Sequence, residues 1–345
     1  MNNGYYDGVK LLSMKDINGD TPEIFICTSN RSAGKTTYFA RLCVNAFIKR
    51  KEKFMLVYRF NYELSECADK FFKDIRGLFF PGKILESKSR AKNTFHELYL
   101  DGESCGYAVA LNAADQIKKY SHFFSDVSRM MFDEFQSETG HYCSREVEKL
   151  ISIHVSVSRG QNKQVRYVPV YMISNPVTIL NPYYVELGIA DRLRDDTHFL
   201  KGEGFVLEQG FNDAAANAQR ESAFNRAFRQ NHYVAYAAES VYLSDNKAFV
   251  DKPEGFGSYL CTLKYEGQNY GIREYAESGI VYCDDRPDLS HPNKITVTTE
   301  DHNINYVMLK KSSVIVATMR YYFEHGAFRF KNLRCKEAVL KALQY

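Results

Sequence analysis

Residues Phe25–Leu42, FICTSNRSAGKTTYFARL, come within one position of the phosphate-loop pattern G-x-x-x-x-G-K-[ST]. Ser29 stands where the pattern has glycine, while Gly34, Lys35 and Thr36 are in place. The surroundings decide how much the near-match means. Upstream, Glu23–Cys27 (EIFIC) is a short apolar strand. Downstream, KTTYFARLCVNAFIKR sets Phe39, Leu42, Cys43, Ala46 and Phe47 at helical spacing. KFMLVYR (Lys53–Arg59) then supplies another strand, completing a βαβ unit whose crossover is right-handed in a parallel sheet.

A phosphate loop needs consecutive backbone N–H groups turned toward the anion, an ammonium that reaches the outer phosphates and a hydroxyl for Mg²⁺. Lys35 and Thr36 supply the last two. A left-handed residue other than glycine costs about 1–2 kcal/mol, but serine at position 29 is not obliged to be left-handed. About a hundred residues on, RMMFDEF puts Asp133 at the end of a buried strand, where a carboxylate can serve Mg²⁺, and places Glu134 beside it to polarise water. SNP (Ser174–Pro176) ends the next apolar strand, YVPVYMISN, and Asn175 there can orient water or sense a terminal phosphate. Taken singly, the three stretches also read as a solvated lysine at a helix start, an acidic strand cap and an ordinary turn.

The rest of the chain bounds the possibilities. With 345 residues it has room for two domains. No run approaches the roughly 18 apolar residues of a membrane helix, and the N-terminus lacks a signal-peptide pattern, so the expectation is a soluble intracellular protein. Eight cysteines without a C-x-x-C pair are expected to be reduced packing residues. A net charge of +3 says little about polyanionic partners. Residues 84 to 111 read as hairpin strands turning at Asp101–Glu103, and a helix is expected over Ser144–Val157. Past residue 200 an alanine- and glutamine-rich helical stretch precedes two-residue alternation from Gly257, a helix around Ile304–Phe323 and a C-terminal helix. The expected division is therefore 1–200, a linker at 201–245, and 246–345.

SNRSAGKT, FDEF and SNPVTILNPYY, in that order and spacing, resemble the DNA-packaging (encapsidation) motor ATPases of small protein-primed tailed bacteriophages, relatives of the large terminase subunits. EVEKLISIHVSVSR, ending at Arg159, is similar to that family's helix followed by its arginine. The resemblance implies an α/β fold: a P-loop NTPase of the ASCE type with a parallel-sheet core and an inserted β-hairpin, then a smaller α+β RNase H-like C-terminal domain without nuclease activity. It implies ATP and Mg²⁺ as cofactors. Ser29, Asn30, Arg31, Ser32, Ala33, Gly34, Lys35, Thr36 and Thr37 would contact ATP, with Thr36 and Asp133 on the metal. Glu134 would be the base, Arg31 a loop cation and Asn175 the coupling amide. Arg159 and Lys119, with Lys118 an equal candidate, would reach a neighbouring subunit's site.

The same resemblance implies a homopentameric ring that moves double-stranded DNA into a procapsid through its portal or connector, with or without an RNA scaffold. No membrane is involved; the place of action is the host cytoplasm, transiently at the portal vertex. Arg41, Lys49, Arg50, Lys51 and Lys53, and Lys83, Lys88, Arg90 and Lys92, are candidate DNA contacts. Asp284, Asp285, Asp288, Glu300 and Asp301 are read as turn residues rather than a two-metal nuclease site. A nucleotide-binding adaptor that never turns over, and an enzyme that also cuts DNA, are the competing readings.

Overall fold

The apolar run Ile24–Thr28 forms strand β1, buried beyond its first residue. Gly34, left-handed at φ 94°, turns the chain into the helix Lys35–Arg50. Phe39, Cys43 and Phe47 recur every four residues and, with Ala40 and Val44, pack into the core against the sheet. Lys51, at φ 58°, ends the helix in a left-handed cap.

The computed structural model describes residues 5–161, 164–178, 181–189, 192–193, 197–228, 234, 250, 252–308, 313–324 and 327–344. Two compact units divide the chain, Met1–Leu243 and Ser244–Tyr345. In the first, β1 is joined by β2 (Lys53–Tyr58), β3 (Leu85–Arg90), β4 (Phe95–Leu100), β5 (Glu103–Ala110), β6 (Val127–Asp133), β7 (Val170–Ser174), β8 (Phe199–Gly202) and β9 (Phe205–Gln209). They form one sheet in the order β3-β4-β5-β2-β6-β7-β1-β9-β8. The run from β5 to β9 is parallel throughout, and β3, β4 and β8 add antiparallel edges. Strand β7 thus lies between β1 and β6, so the loops after these three strands open at one edge of the sheet, where open α/β sheets bind ligands.

The hairpin expected at 84–111 is present, turning through left-handed Asp101 and Gly102, and its last strand, β5, doubles as a parallel partner of β2. A first domain ending at residue 200 does not hold. Such a boundary cuts through β8, whose partner β9 pairs with the phosphate-loop strand β1, so the first sheet extends into the interval assigned to a linker. Among the described residues, the helices Asp213–Glu221 and Ala223–Ala227 answer to the helical expectation there; residues 229–233 and 235–249 lie outside the described set.

The second unit carries β10 (Ser258–Tyr265), β11 (Gln268–Tyr275), β12 (Ile280–Asp284), β13 (Lys294–Thr296), β14 (Val307–Met308) and β15 (Phe328–Phe330). An antiparallel meander, β10-β11-β12, is continued by parallel β13 and β14 on one side and β15 on the other. Helices Val314–Glu324 and Leu333–Gln344 cover it through Met319, Cys335, Ala338, Val339 and Ala342. The helix expected from Ile304 begins only at Val314, because the Asn303 side chain accepts the Asn305 N–H in a local turn and Val307–Met308 pair as a strand. All eight cysteines are buried and unpaired. No helix among the described residues is long and apolar enough to cross a membrane.

One close approach holds the parallel core together: Gly106 lies opposite Phe54, and a Cβ on it would sit 2.1 Å from the Phe54 carbonyl oxygen. Neither backbone can yield without breaking the β2–β5 ladder. Gly106→Ala is expected to cost about 3 kcal/mol, the upper part of the overpacking range, read as a fall in the urea midpoint of unfolding.

Candidate functional site

Lys35 is the first residue of its helix, and its ammonium is buried. It donates to the Ser29 carbonyl (2.9 Å), the Ser29 hydroxyl (3.0 Å), the Asn30 carbonyl (3.1 Å) and Asn175 Oδ1 (3.2 Å). Burial pushes its pKa below the ordinary lysine value. The residue at the glycine position of the motif is therefore a ligand of the loop's lysine. Positive φ falls instead on Ser32 (61°) and Gly34 (94°), so serine at 29 carries no left-handed strain. Ser29 and Asn30, expected among the nucleotide contacts, lie buried beneath the loop, where Asn30 Nδ2 donates to the Asn212 carbonyl and Asn30 Oδ1 accepts the Asn212 N–H. That exchange ties the loop to the start of the helix Asp213–Glu221.

Arg31, Ser32, Ala33, Gly34, Lys35, Thr36 and Thr37 line a cleft of about 730 Å³ together with Asp133, Glu134, Ser174 and Asn175. Residues from three separate loops meet there. Asp133 is half-buried, and burial pushes its carboxyl up to about 6, against the opposing pull of the Thr36 hydroxyl. Glu134 is exposed and left-handed at φ 55°. Arg31 is ion-paired with Glu138. The cleft's far wall carries Gln219, Phe224, Asn225 and Phe228, with Gln219 Nε2 donating to the Ser32 hydroxyl at 3.1 Å and the two phenyl rings 5.0 Å apart.

Arg159 and Lys119 do not line the cleft. Arg159 is exposed just past the helix Glu146–Val157, and Lys119 is exposed beside Lys118, which pairs with Asp115 at 3.4 Å. The candidate DNA contacts are largely committed to local partners: Arg50 to Glu52, Lys51 to Glu103, Lys53 to Asp126, Lys83 to Asp101 and Arg90 to Glu97, with Arg41 over Phe79 and Lys88 over Tyr99. In the second unit Asp284 pairs with Arg273 (2.6 Å), Asp285 with Lys331 (2.5 Å), and Asp301 accepts the Gly267 N–H and the Thr298 hydroxyl.

Against this geometry, the sequence matches a family described as the Podovirus DNA encapsidation protein (Gp16) over residues 2–344. The chain belongs to that family. Among relatives, the DNA packaging protein of Bacillus phage phi29 is 26% identical over 306 residues, covering 88% of this chain and 87% of that protein. That of Bacillus phage B103 is 23% identical, covering 88% and 90%. The fold is shared with the bacteriophage Phi-29 viral genome packaging motor assembly (TM-score 0.58, 22% identity, 99% of this chain and 97% of that one). It is shared also with the Phi-28 gp11 DNA packaging motor (TM-score 0.61, 17% identity, 99% of each).

Sequence reasoning missed what stands behind Glu134 in this Gp16-family chain. Arg59, just past β2 and 8% exposed, pairs with Glu146, 3% exposed, at 2.9 Å, and donates to the carbonyls of Phe135 (2.8 Å) and Glu134 (3.4 Å). Glu146 also accepts the Tyr183 hydroxyl (2.8 Å) and the Cys143 N–H (2.7 Å). The only signal in the sequence was an arginine closing an apolar strand. Removing one member of a buried pair leaves the other charge stranded, so Glu146→Ala is expected to cost about 3–5 kcal/mol in urea unfolding. The double variant Arg59→Met, Glu146→Leu should lose clearly less than the two single losses combined.

Proposed function

We propose that the chain hydrolyses ATP and uses the energy to move double-stranded DNA into a procapsid. The observation that carries this reading is the convergence of Lys35, Thr36, Asp133, Glu134 and Asn175 on one cleft at the carboxyl edge of the parallel sheet. Its size suits a nucleotide. The helix Lys35–Arg50 has no acidic residue in its first turn, so its free N–H groups face the loop as an anion seat. Phe224 and Phe228 offer an apolar wall to a base.

One hydroxyl and one carboxylate, Thr36 and Asp133, fit Mg²⁺, which takes few protein oxygens and fills its shell with water and phosphate. A carboxyl whose pKa is raised by burial is also the kind of group a cation stabilises as carboxylate. When bound, Mg²⁺ supplies charge neutralisation for the phosphates. Everything else falls to the chain. Lys35 trades loop carbonyls for phosphate oxygens. The Glu134 carboxylate orients a water and accepts its proton on Oε as that water attacks the terminal phosphorus, whose bond to the bridging oxygen breaks to release the nucleoside diphosphate. Asn175, already on Lys35, registers whether the terminal phosphate is present. Arg31 exchanges Glu138 for the developing charge.

Arg159 and Lys119, or Lys118, complete the site of the next copy in a homopentameric ring; their exposure and their absence from their own cleft support a role between subunits. DNA is gripped through its phosphates, as a motor indifferent to sequence requires. The second unit serves for docking rather than as a nuclease; the pairing of Asp284 and Asp285 with cations, which leaves them poorly placed to hold two metals, supports the absence of cleavage. The place of action is the host cytoplasm and the portal vertex.

Glu134→Gln should keep ATP binding and lower DNA-stimulated hydrolysis by about 10²–10⁴, the usual worth of a general base. Undiminished hydrolysis would refute the assignment, and a native chain that binds ATP without turnover would favour the adaptor. Arg159→Ala subunits mixed with Lys35→Ala subunits should recover part of the activity that each lacks alone, since a shared site can be rebuilt from one intact half of each. No recovery at any ratio would place Arg159 outside the neighbour's site.

A further inference from the structure

A second cavity, of about 480 Å³, adjoins the cleft. Arg31, Glu134, Ser174 and Asn175 line both. These are the residues at the end of the cleft where a terminal phosphate is cleaved under the reading above. Phe224 and Phe228, by contrast, line the cleft alone. The second cavity passes buried Arg59 and reaches an outer rim of Tyr62, Glu138, Thr139 and His141, all exposed. It therefore leads from the phosphate end to solvent without passing the place where a base would sit.

Its lining has the character of a passage rather than of a tight anion site. The guanidinium groups of Arg31 and Arg59 are outnumbered by the carboxylates of Glu63, Glu134 and Glu138, so phosphate is not held tightly there. Glu63 is itself held by the N–H groups of Arg59 and Phe60 at 2.9 and 2.7 Å. A route works when its ligand binds well enough to enter and weakly enough to leave. Arg31 is the cation common to both spaces, and here it is held by Glu138.

We propose that this second cavity is the exit route of orthophosphate and that Glu138 draws Arg31 off the departing ion. The proposal rests on the hydrolase reading. After cleavage the nucleoside diphosphate still fills the mouth of the cleft, so the smaller product needs another way out. The Glu138 carboxylate competes with phosphate for one guanidinium, and each charge-assisted pair that forms with Glu138 is one that phosphate has lost.

The full-length chain is tested with ATP, Mg²⁺ and double-stranded DNA. Quenched-flow assays follow ATP cleavage, and a fluorescent phosphate sensor follows orthophosphate reaching solution. Thr139→Trp puts an indole into the rim and should slow phosphate release about tenfold with cleavage unchanged, product release being a separate step. Glu138→Gln removes the competitor and should slow release about threefold to fivefold, the range of a partly exposed ion pair, while strengthening inhibition by added orthophosphate by a similar factor. Native release rates in both variants overturn the route. A fall in cleavage equal to the fall in release overturns it as well, because the block then lies before phosphate is formed. If the native chain fails to cleave ATP at all, the hydrolase reading itself falls and takes the route with it.

Discussion

The ammonium of Lys35 is a full charge in a buried place, and the site is organised around keeping it satisfied. Four oxygens from Ser29, Asn30 and Asn175 surround it. A buried charge without partners is far costlier than the bonds that hold it, so the loop between β1 and its helix has little freedom to fold differently. Because Asn175 is one of those partners, the end of β7 is bound to the phosphate loop before any ligand arrives. The serine in place of the motif's glycine belongs to the same requirement, since its hydroxyl adds an acceptor that glycine lacks.

That constraint could not be met without the strand order. With β7 between β1 and β6, Thr28 lies opposite Ser174 and Asp133 opposite Ile173, so the loop lysine, the amide and the acid pair come to the same edge at the same height. The sheet in turn depends on details far from the cleft, such as the glycine at 106 that lets β5 lie against β2. Position in the chain matters little here: Lys35 and Asn175 are 140 residues apart and in contact.

Much of this was legible in the residues because its signals are local. A strand, a loop with G-K-T and a four-residue apolar repeat lie within thirty residues, and D-E and S-N-P each end an apolar run. What stayed hidden depends on contacts across the chain. Strands β8 and β9 are short and join the sheet only because β1 has a free edge, which no periodicity in 199–209 reveals. The partnership of Arg59 with Glu146 spans 87 positions, and each residue alone reads as an ordinary surface charge. Asn30 reads as part of the phosphate loop, and nothing near it in the chain shows that its side-chain amide holds Asn212. In the second unit, the apolar spacing around Ile304–Phe323 suggested one helix, but Asn303 supplies a turn where the helix would have begun.

The acid pair shows how backbone strain and buried charge combine. Successive residues of a strand point to opposite faces, so Asp133 and Glu134 could not both face the cleft if β6 simply continued. Left-handed backbone at Glu134 breaks the alternation and brings both carboxylates to the cleft wall. For a residue with a Cβ that conformation costs about 1–2 kcal/mol. Arg59 offsets the cost by holding the carbonyls of Glu134 and Phe135, and Glu146 keeps Arg59 in place with help from Tyr183 and Cys143. The strain is concentrated at the residue whose carboxylate is exposed at the cleft, and the pair that sustains it, Arg59 with Glu146, is buried behind that residue.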